Sequence, residues 1–159
     1  MKLTFRPSSE LHERALAIFE AERRRLADLA PGGELVLTGA TSLPAALTRG
    51  DIDLHLRVPP SDFTTAVEAL KQPYRVVHPQ IWTESLATFE VPDAPLPTGV
   101  AVTPIGSEHD IRFTKSWALL AHAPQLLEAY NDLKRRYEGG DVDAYEAAKS
   151  AFFTELLGR

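Results

Sequence analysis

The stretch Asp51-Ile52-Asp53-Leu54-His55-Leu56-Arg57-Val58 alternates polar and apolar residues at every step and is halted by Pro59-Pro60. A period of two would scatter these apolar side chains around a helix axis. It therefore predicts a β-strand with Asp51, Asp53, His55 and Arg57 on one face and Ile52, Leu54, Leu56 and Val58 on the other. A strand needs partners. Leu35-Val36-Leu37-Thr38 is short, apolar and followed by Gly39, which predicts a buried strand running into a tight turn. Extended segments over 74–77, 86–91 and 100–105, separated by Pro79 and by Pro92-Asp93-Ala94-Pro95-Leu96-Pro97, supply the meandering half of a sheet.

Helical periodicity brackets these strands. Ser8-Ser9 is read as the cap of a first helix carrying Leu11, Ala15, Ile18, Phe19, Leu26 and Leu29, ended by Pro31-Gly32-Gly33. A short helical segment is expected over 42–48, and Ser61 is expected to cap a helix with Phe63, Val67 and Leu70 on one stripe. After Gly106 the pattern is helical over 111–121. It resumes at Pro124 with Leu126, Tyr130, Leu133 and Tyr137, and again from Asp141 or Asp143 with Tyr145, Ala148, Phe152 and Leu156. The expected fold is α/β of the α+β kind: a mixed sheet flanked by helices, with a helical C-terminal third, in one domain over 1–159.

Composition excludes several classes of chemistry. There is no cysteine, so thiol catalysis, disulfides and cysteine-ligated metal centres are ruled out. No apolar run reaches the length of a signal peptide or of a membrane span of roughly 20 residues, so a soluble, cytoplasmic protein is expected. The 17 Lys and Arg against 22 Asp and Glu argue against a long nucleic-acid backbone as the partner, which would select a basic face. A single bound nucleotide, or a protein partner, remains compatible. His78, His109 and His122 show no metal-ligand spacing, and no serine-nucleophile elbow is present.

Two neighbouring features can carry chemistry. In Leu37-Thr38-Gly39-Ala40-Thr41-Ser42 a glycine ends a strand and small hydroxyl residues follow, so backbone N–H groups and the Ser42 hydroxyl can face a phosphate. Twelve residues after Gly39, Asp51 and Asp53 put two carboxylates on one strand face, roughly 7 Å apart at the backbone, close enough to share a hard cation such as Mg²⁺. The plainer reading is the solvent face of an antiparallel strand, which also accommodates His55 and Arg57. Lys134, Arg135 and Arg136 stand at a helix C-terminus, where positive charge meets the negative end of the dipole.

Strand, glycine turn with Ser42, and a strand bearing Asp-x-Asp between apolar residues resemble the signature of the nucleotidyltransferase superfamily. Within it the sequence resembles the GrpB family. Gly39-Ala40-Thr41-Ser42-Leu43-Pro44 is similar to that family's Gly-Ser-Thr-Ser-Val-Pro, and Asp53 falls where the family has its aspartate. The segment Pro124-Gln125-Leu126-Leu127-Glu128-Ala129-Tyr130-Asn131-Asp132-Leu133-Lys134, and Tyr145 with Lys149 and Phe152, are similar to the family's Pro…Leu…Tyr-x-x-Leu-Lys and Tyr-x-x-x-Lys-x-x-Phe. The chain departs from the family at Val100-Ala101-Val102, where a His-x-His strand is usual, and at Trp117-Ala118-Leu119-Leu120-Ala121, where Arg-Asp-Tyr-Leu-Arg is usual.

The resemblance implies a nucleotide held with Mg²⁺ through Asp51 and Asp53, with Gly39, Thr41, Ser42, Arg57, Lys134 and Lys149 as phosphate contacts. A working nucleotidyltransferase adds a third carboxylate from a neighbouring strand, for which Glu90 is the first candidate and Glu84 the second. Asp51, Asp53 and Glu90 would then be both metal ligands and catalytic groups, transferring a nucleotidyl group to a hydroxyl. The alternatives are a nucleotide- or partner-binding accessory module without turnover, and a domain in which the two aspartates hold only an adventitious cation.

Overall fold

The computed structural model describes residues 2–158. In chain order its elements are β1 (Arg6–Pro7), α1 (His12–Leu29), β2 (Glu34–Thr38), β3 (Leu47–Thr48), β4 (Ile52–Val58), α2 (Phe63–Leu70), β5 (Arg75–Val76), β6 (Ala87–Glu90), β7 (Thr98–Pro104), α3 (Glu108–His122), α4 (Pro124–Tyr137) and α5 (Val142–Leu157). Five strands form one mixed sheet in the order β2-β4-β7-β6-β5, in which β4 and β7 run parallel and the other pairs antiparallel. The remaining two, β1 and β3, make a separate antiparallel ribbon.

The alternation along β4 decides where the layers go. Ile52, Leu54, Leu56 and Val58 are buried with Phe89, Val100 and Val102 against Ala15, Ile18 and Leu26 of α1 and Ala66, Val67 and Leu70 of α2. Each such side chain stabilises by about 1.5–3 kcal/mol when fully buried, which commits this face of the sheet to the core. A second cluster joins α3, α4 and α5 through Leu120, Tyr130, Leu133, Tyr145 and Leu156, with Leu3 from the N-terminal segment. The polar face of β4 is left between these two apolar bodies. Ser107 caps α3 by accepting from Asp110 N, and Asp141 caps α5 by accepting from Ala144 N.

Four sequence expectations are corrected. Ser8 and Ser9 do not cap α1: they lie in a 3-10 turn over Ser8–Glu10, and the buried Ser8 hydroxyl instead donates to Ala40 O at 2.9 Å. The helical segment expected over 42–48 is only a 3-10 turn over Ala40–Ser42, after which the chain extends into β3, paired with β1. Ser61 sits inside a third 3-10 turn, Pro60–Asp62, and makes no cap. Finally, β2 is an edge strand and only half-buried, because one side of it has no neighbour to cover it.

Candidate functional site

The site begins at the end of β2. Gly39 turns the chain with φ +73°, a conformation that favours glycine, and the 3-10 turn is closed by Ser42 N donating to Gly39 O at 3.1 Å. The Ser42 hydroxyl also donates to Gly39 O, at 2.6 Å. Thr41 is fully buried, its hydroxyl reaching Asp51 O at 3.5 Å. These bonds draw the turn against the start of β4, so the Gly39 backbone and the Asp53 carboxyl come together.

Strand register extends the site sideways. Thr38 pairs with Asp53, Asp53 with Gly99, Gly99 with Glu90, and Glu90 with Arg75, so this row crosses all five strands with its side chains on one face. The backbones of Asp53 and Glu90 are therefore two strand spacings apart, about 9.5 Å, with only Gly99 between them. The next row is Val36, His55, Ala101 and Thr88.

Above this floor stand α3 and α5, and together they enclose a cavity of about 590 Å³. From the sheet side it is lined by Gly39, Asp51, Asp53, His55, Thr88, Glu90, Gly99 and Ala101, among others. Arg112, Phe113, Ser116 and Trp117 come from α3, and Glu146, Lys149, Ser150 and Phe153 from α5. Its volume lies within the 300–1,000 Å³ of small-ligand sites.

Of the residues singled out in the sequence, Gly39, Asp51, Asp53, Glu90 and Lys149 line this cavity; Thr41, Ser42, Arg57 and Lys134 do not. Arg57 is taken by a bidentate pair with Asp110, Nε to Oδ1 at 2.7 Å and Nη2 to Oδ2 at 3.0 Å, and by Glu34 at 3.3 Å. His55 is buried, hydrogen-bonded through Nε2 to Thr103 Oγ1 at 2.7 Å and packed edge-on against Phe113. The same burial, outweighing the pull of Asp110, lowers its pKa to about 4. Lys134 is buried with its ammonium bonded to Leu47 O and lying 4.0 Å from the centre of the Tyr130 ring.

No local pattern singles out Arg112, Phe113 and Ser116 of α3 or Glu146, Ser150 and Phe153 of α5. Their spacings of three and four mark helix faces, and only the tertiary fold turns those faces toward the aspartates.

Asp53 is exposed where the cavity opens, but the cleft around it partly desolvates its carboxyl, and that desolvation, then the charge of Asp51, pushes its pKa up to about 6 against the opposing pull of Lys149 and Lys134. Glu90 accepts from Arg75 Nη1 at 3.0 Å. Among the described residues no three of His, Asp and Glu gather closely enough to hold a metal ion, so Glu90 does not complete a three-carboxylate cluster with Asp51 and Asp53. Glu84 is exposed and does not line the cavity. The strands hydrogen-bonded to β4 offer only Thr38 and Gly99 beside Asp53, and β7 presents Gly99 and Ala101 to the cavity while Val100 and Val102 point into the core.

A mixed sheet with a glycine turn beside an Asp-x-Asp strand and a helical C-terminal third defines a nucleotidyltransferase-like fold. A family profile described as GrpB protein matches residues 10–159, and the chain belongs to that family. It is 27% identical to UPF0157 protein VC_A0354 of Vibrio cholerae over 135 residues, 84% of this chain and 71% of that protein. Among solved structures, the conserved protein GrpB from Enterococcus faecalis superposes with a TM-score of 0.69 at 17% identity, covering 91% of this chain and 93% of that one. The Cid1 poly(U) polymerase, solved with Mg 3'-dATP bound, superposes with a TM-score of 0.54 at 14% identity, covering 81% of this chain and 41% of that one. No helix among the described residues is long and apolar enough to cross a membrane.

Proposed function

We propose that the cleft binds a nucleoside triphosphate together with one Mg²⁺ and transfers the nucleotidyl group to a hydroxyl acceptor. The observation that carries this reading is the meeting of the Gly39 turn, the Asp51 and Asp53 carboxylates and the Lys149 ammonium in one cavity of nucleotide size. The fold supports it, since Cid1 is described as binding Mg 3'-dATP on the same scaffold. Mg²⁺ characteristically takes one or two protein carboxylates and completes its shell with water and substrate phosphates, and Asp51 and Asp53 fit that pattern. When bound, the ion would neutralise phosphate charge.

The chain's own groups account for the remaining roles. Lys149 supplies a second positive charge toward the phosphates, and the backbone of the Gly39 turn lets them approach the sheet closely. The Asp53 carboxylate, on the cavity floor beside the Gly39 turn, is placed to take a proton from the acceptor. The acceptor oxygen attacks the α-phosphorus as its proton passes to the Asp53 carboxylate, and the bond from that phosphorus to the bridging oxygen breaks, releasing pyrophosphate.

One observation favours a second reading, a nucleotide-binding module without turnover: neither strand beside β4 brings a third carboxylate to Asp53. Thermal unfolding against ATP, GTP, CTP and UTP, with and without Mg²⁺, tests binding. A bound ligand at a hundredfold excess over Kd stabilises by about 2.7 kcal/mol. A Mg²⁺-dependent rise for wild type that is lost in Asp51→Asn/Asp53→Asn supports the site. Pyrophosphate release then separates transferase from binding module, and no shift with any nucleotide refutes both.

A further inference from the structure

Gly99 occupies the middle of the cleft floor, and nothing in the fold asks for a glycine there. It lies inside β7, which is paired on both sides, where glycine weakens a sheet and often marks the close approach of a ligand. It is not among the glycines with positive φ. A Cβ built on it would meet nothing nearer than Phe89 O at 3.7 Å, an ordinary contact. The space a side chain would fill opens into the cavity rather than into packed protein. Ala101, the next residue of β7 on the same face, leaves the adjoining floor nearly as bare.

The surroundings indicate which part of a nucleotide this bare strip would take. Phosphates call for cations, and Lys149 supplies one close to Asp53. Phe113 and Trp117 of α3 and Phe153 of α5 line the same cavity, with Trp117 and Phe153 5.5 Å apart between ring centres. Flat, sequence-tolerant contact with backbone and aromatic rings suits the π-face of a base. We infer that Gly99 is a base-positioning residue: its side-chain-free backbone is the surface on which the nucleobase lies, opposite Phe113 and Trp117. This rests on the nucleotide reading of the cleft.

Two substitutions and two ligands test it. The ligands are whichever of ATP, GTP, CTP and UTP binds wild type most tightly, and inorganic tripolyphosphate, each with Mg²⁺, measured by calorimetry. Gly99→Leu is expected to weaken the nucleotide at least tenfold while leaving tripolyphosphate within twofold. Gly99→Ala is expected to melt at or above the wild-type temperature and yet bind the nucleotide more weakly, a split that a purely structural glycine would not give. Unchanged nucleotide affinity in Gly99→Leu, equal loss of both ligands, or a wild type that binds tripolyphosphate as tightly as any nucleotide overturns the base slot alone. A wild type that binds neither ligand removes the nucleotide reading and the slot with it.

Discussion

A β-carbon placed on Gly39 would lie 2.2 Å from Oδ2 of Asp53 and 2.9 Å from its Cβ and Cγ. The turn and the carboxyl thus occupy space that permits one or the other to carry a side chain, and the positive φ at Gly39 independently favours glycine. Gly39→Ala should therefore cost about 1–3 kcal/mol of stability, read as a lower denaturant midpoint, and should displace the Asp53 carboxyl. Nucleotide affinity should fall with it. Wild-type stability and affinity in Gly39→Ala would mean that Asp53 swings clear at no cost and that the close approach has no role.

The raised pKa of Asp53 has a definite sign in stability. The folded chain holds this proton more tightly than the unfolded one, so stability falls as pH rises from the ordinary carboxylate range to about 6 and stays lower above it. Asp53→Asn should accordingly melt higher than wild type at pH 7 to 8, with the gain disappearing by about pH 4. Binding of Mg²⁺ and nucleotide needs the ionised carboxylate, so it should release a proton when measured near pH 5.5 and almost none at pH 8. Calorimetry in buffers of different ionisation enthalpy reads that proton directly, and equal release at both pH values would count against Asp53 as a ligand.

How much of this was legible in the sequence differs between the floor of the cleft and its walls. The alternation over β4 correctly divided Ile52, Leu54, Leu56 and Val58 from Asp51 and Asp53, because a half-buried strand writes its two environments into alternate residues. The same rule misjudged His55 and Arg57. They share the polar face, but α3 covers that end of the strand and makes His55 a buried partner of Thr103 and Arg57 a half-buried partner of Asp110, contacts 48 and 53 residues away in sequence. Glu90 was placed correctly on the polar face of β6, but its separation from Asp53 depends on β7 lying between them, and strand order is a property of the whole sheet. The helical walls were out of reach for a similar reason: Lys149 stood out only through family likeness, and Arg112 through nothing local.

The Arg57–Asp110 pair should behave as a lock between sheet and helix. Asp110 is 1% exposed and also accepts from Gly106 N at 2.8 Å and from the Thr103 hydroxyl at 3.3 Å. Burial alone would raise its pKa, but the bonds from Arg57 and Gly106 and the positive charge outweigh that and hold it low. Asp110→Ala should cost about 3 kcal/mol, because it leaves the Arg57 guanidinium and buried polar groups without their partner. The depressed pKa means that this stability is present above the ordinary carboxylate range and is lost as pH falls through the folded value. Urea titrations at pH 7 and pH 3 should show a large gap between wild type and Asp110→Asn at the first pH and a smaller one at the second.

A second lock, on α4, fixes the chain between the glycine turn and β4. Asn131 accepts from Leu47 N and donates to Ala45 O, both at 2.9 Å, and Lys134 donates to Leu47 O. Asn131→Ala strands two backbone groups in a partly buried place and should cost about 1–3 kcal/mol, with weaker nucleotide binding as the Gly39–Asp51 segment loosens. Lys134 should respond differently. Burial, then the charge of Lys149, lowers its pKa to about 7 despite Asp51 and Asp53, so the folded state disfavours its proton. That cost is complete below pH 7 and is relieved as pH rises toward the ordinary lysine value, so wild-type stability gains over this range. Lys134→Met removes the cost along with the bond to Leu47 O. Relative to wild type it should therefore fare best at pH 6 and steadily worse toward pH 10. A difference between the two proteins that does not change with pH would mean that the buried ammonium is fully compensated by its carbonyl, its ring and the two aspartates.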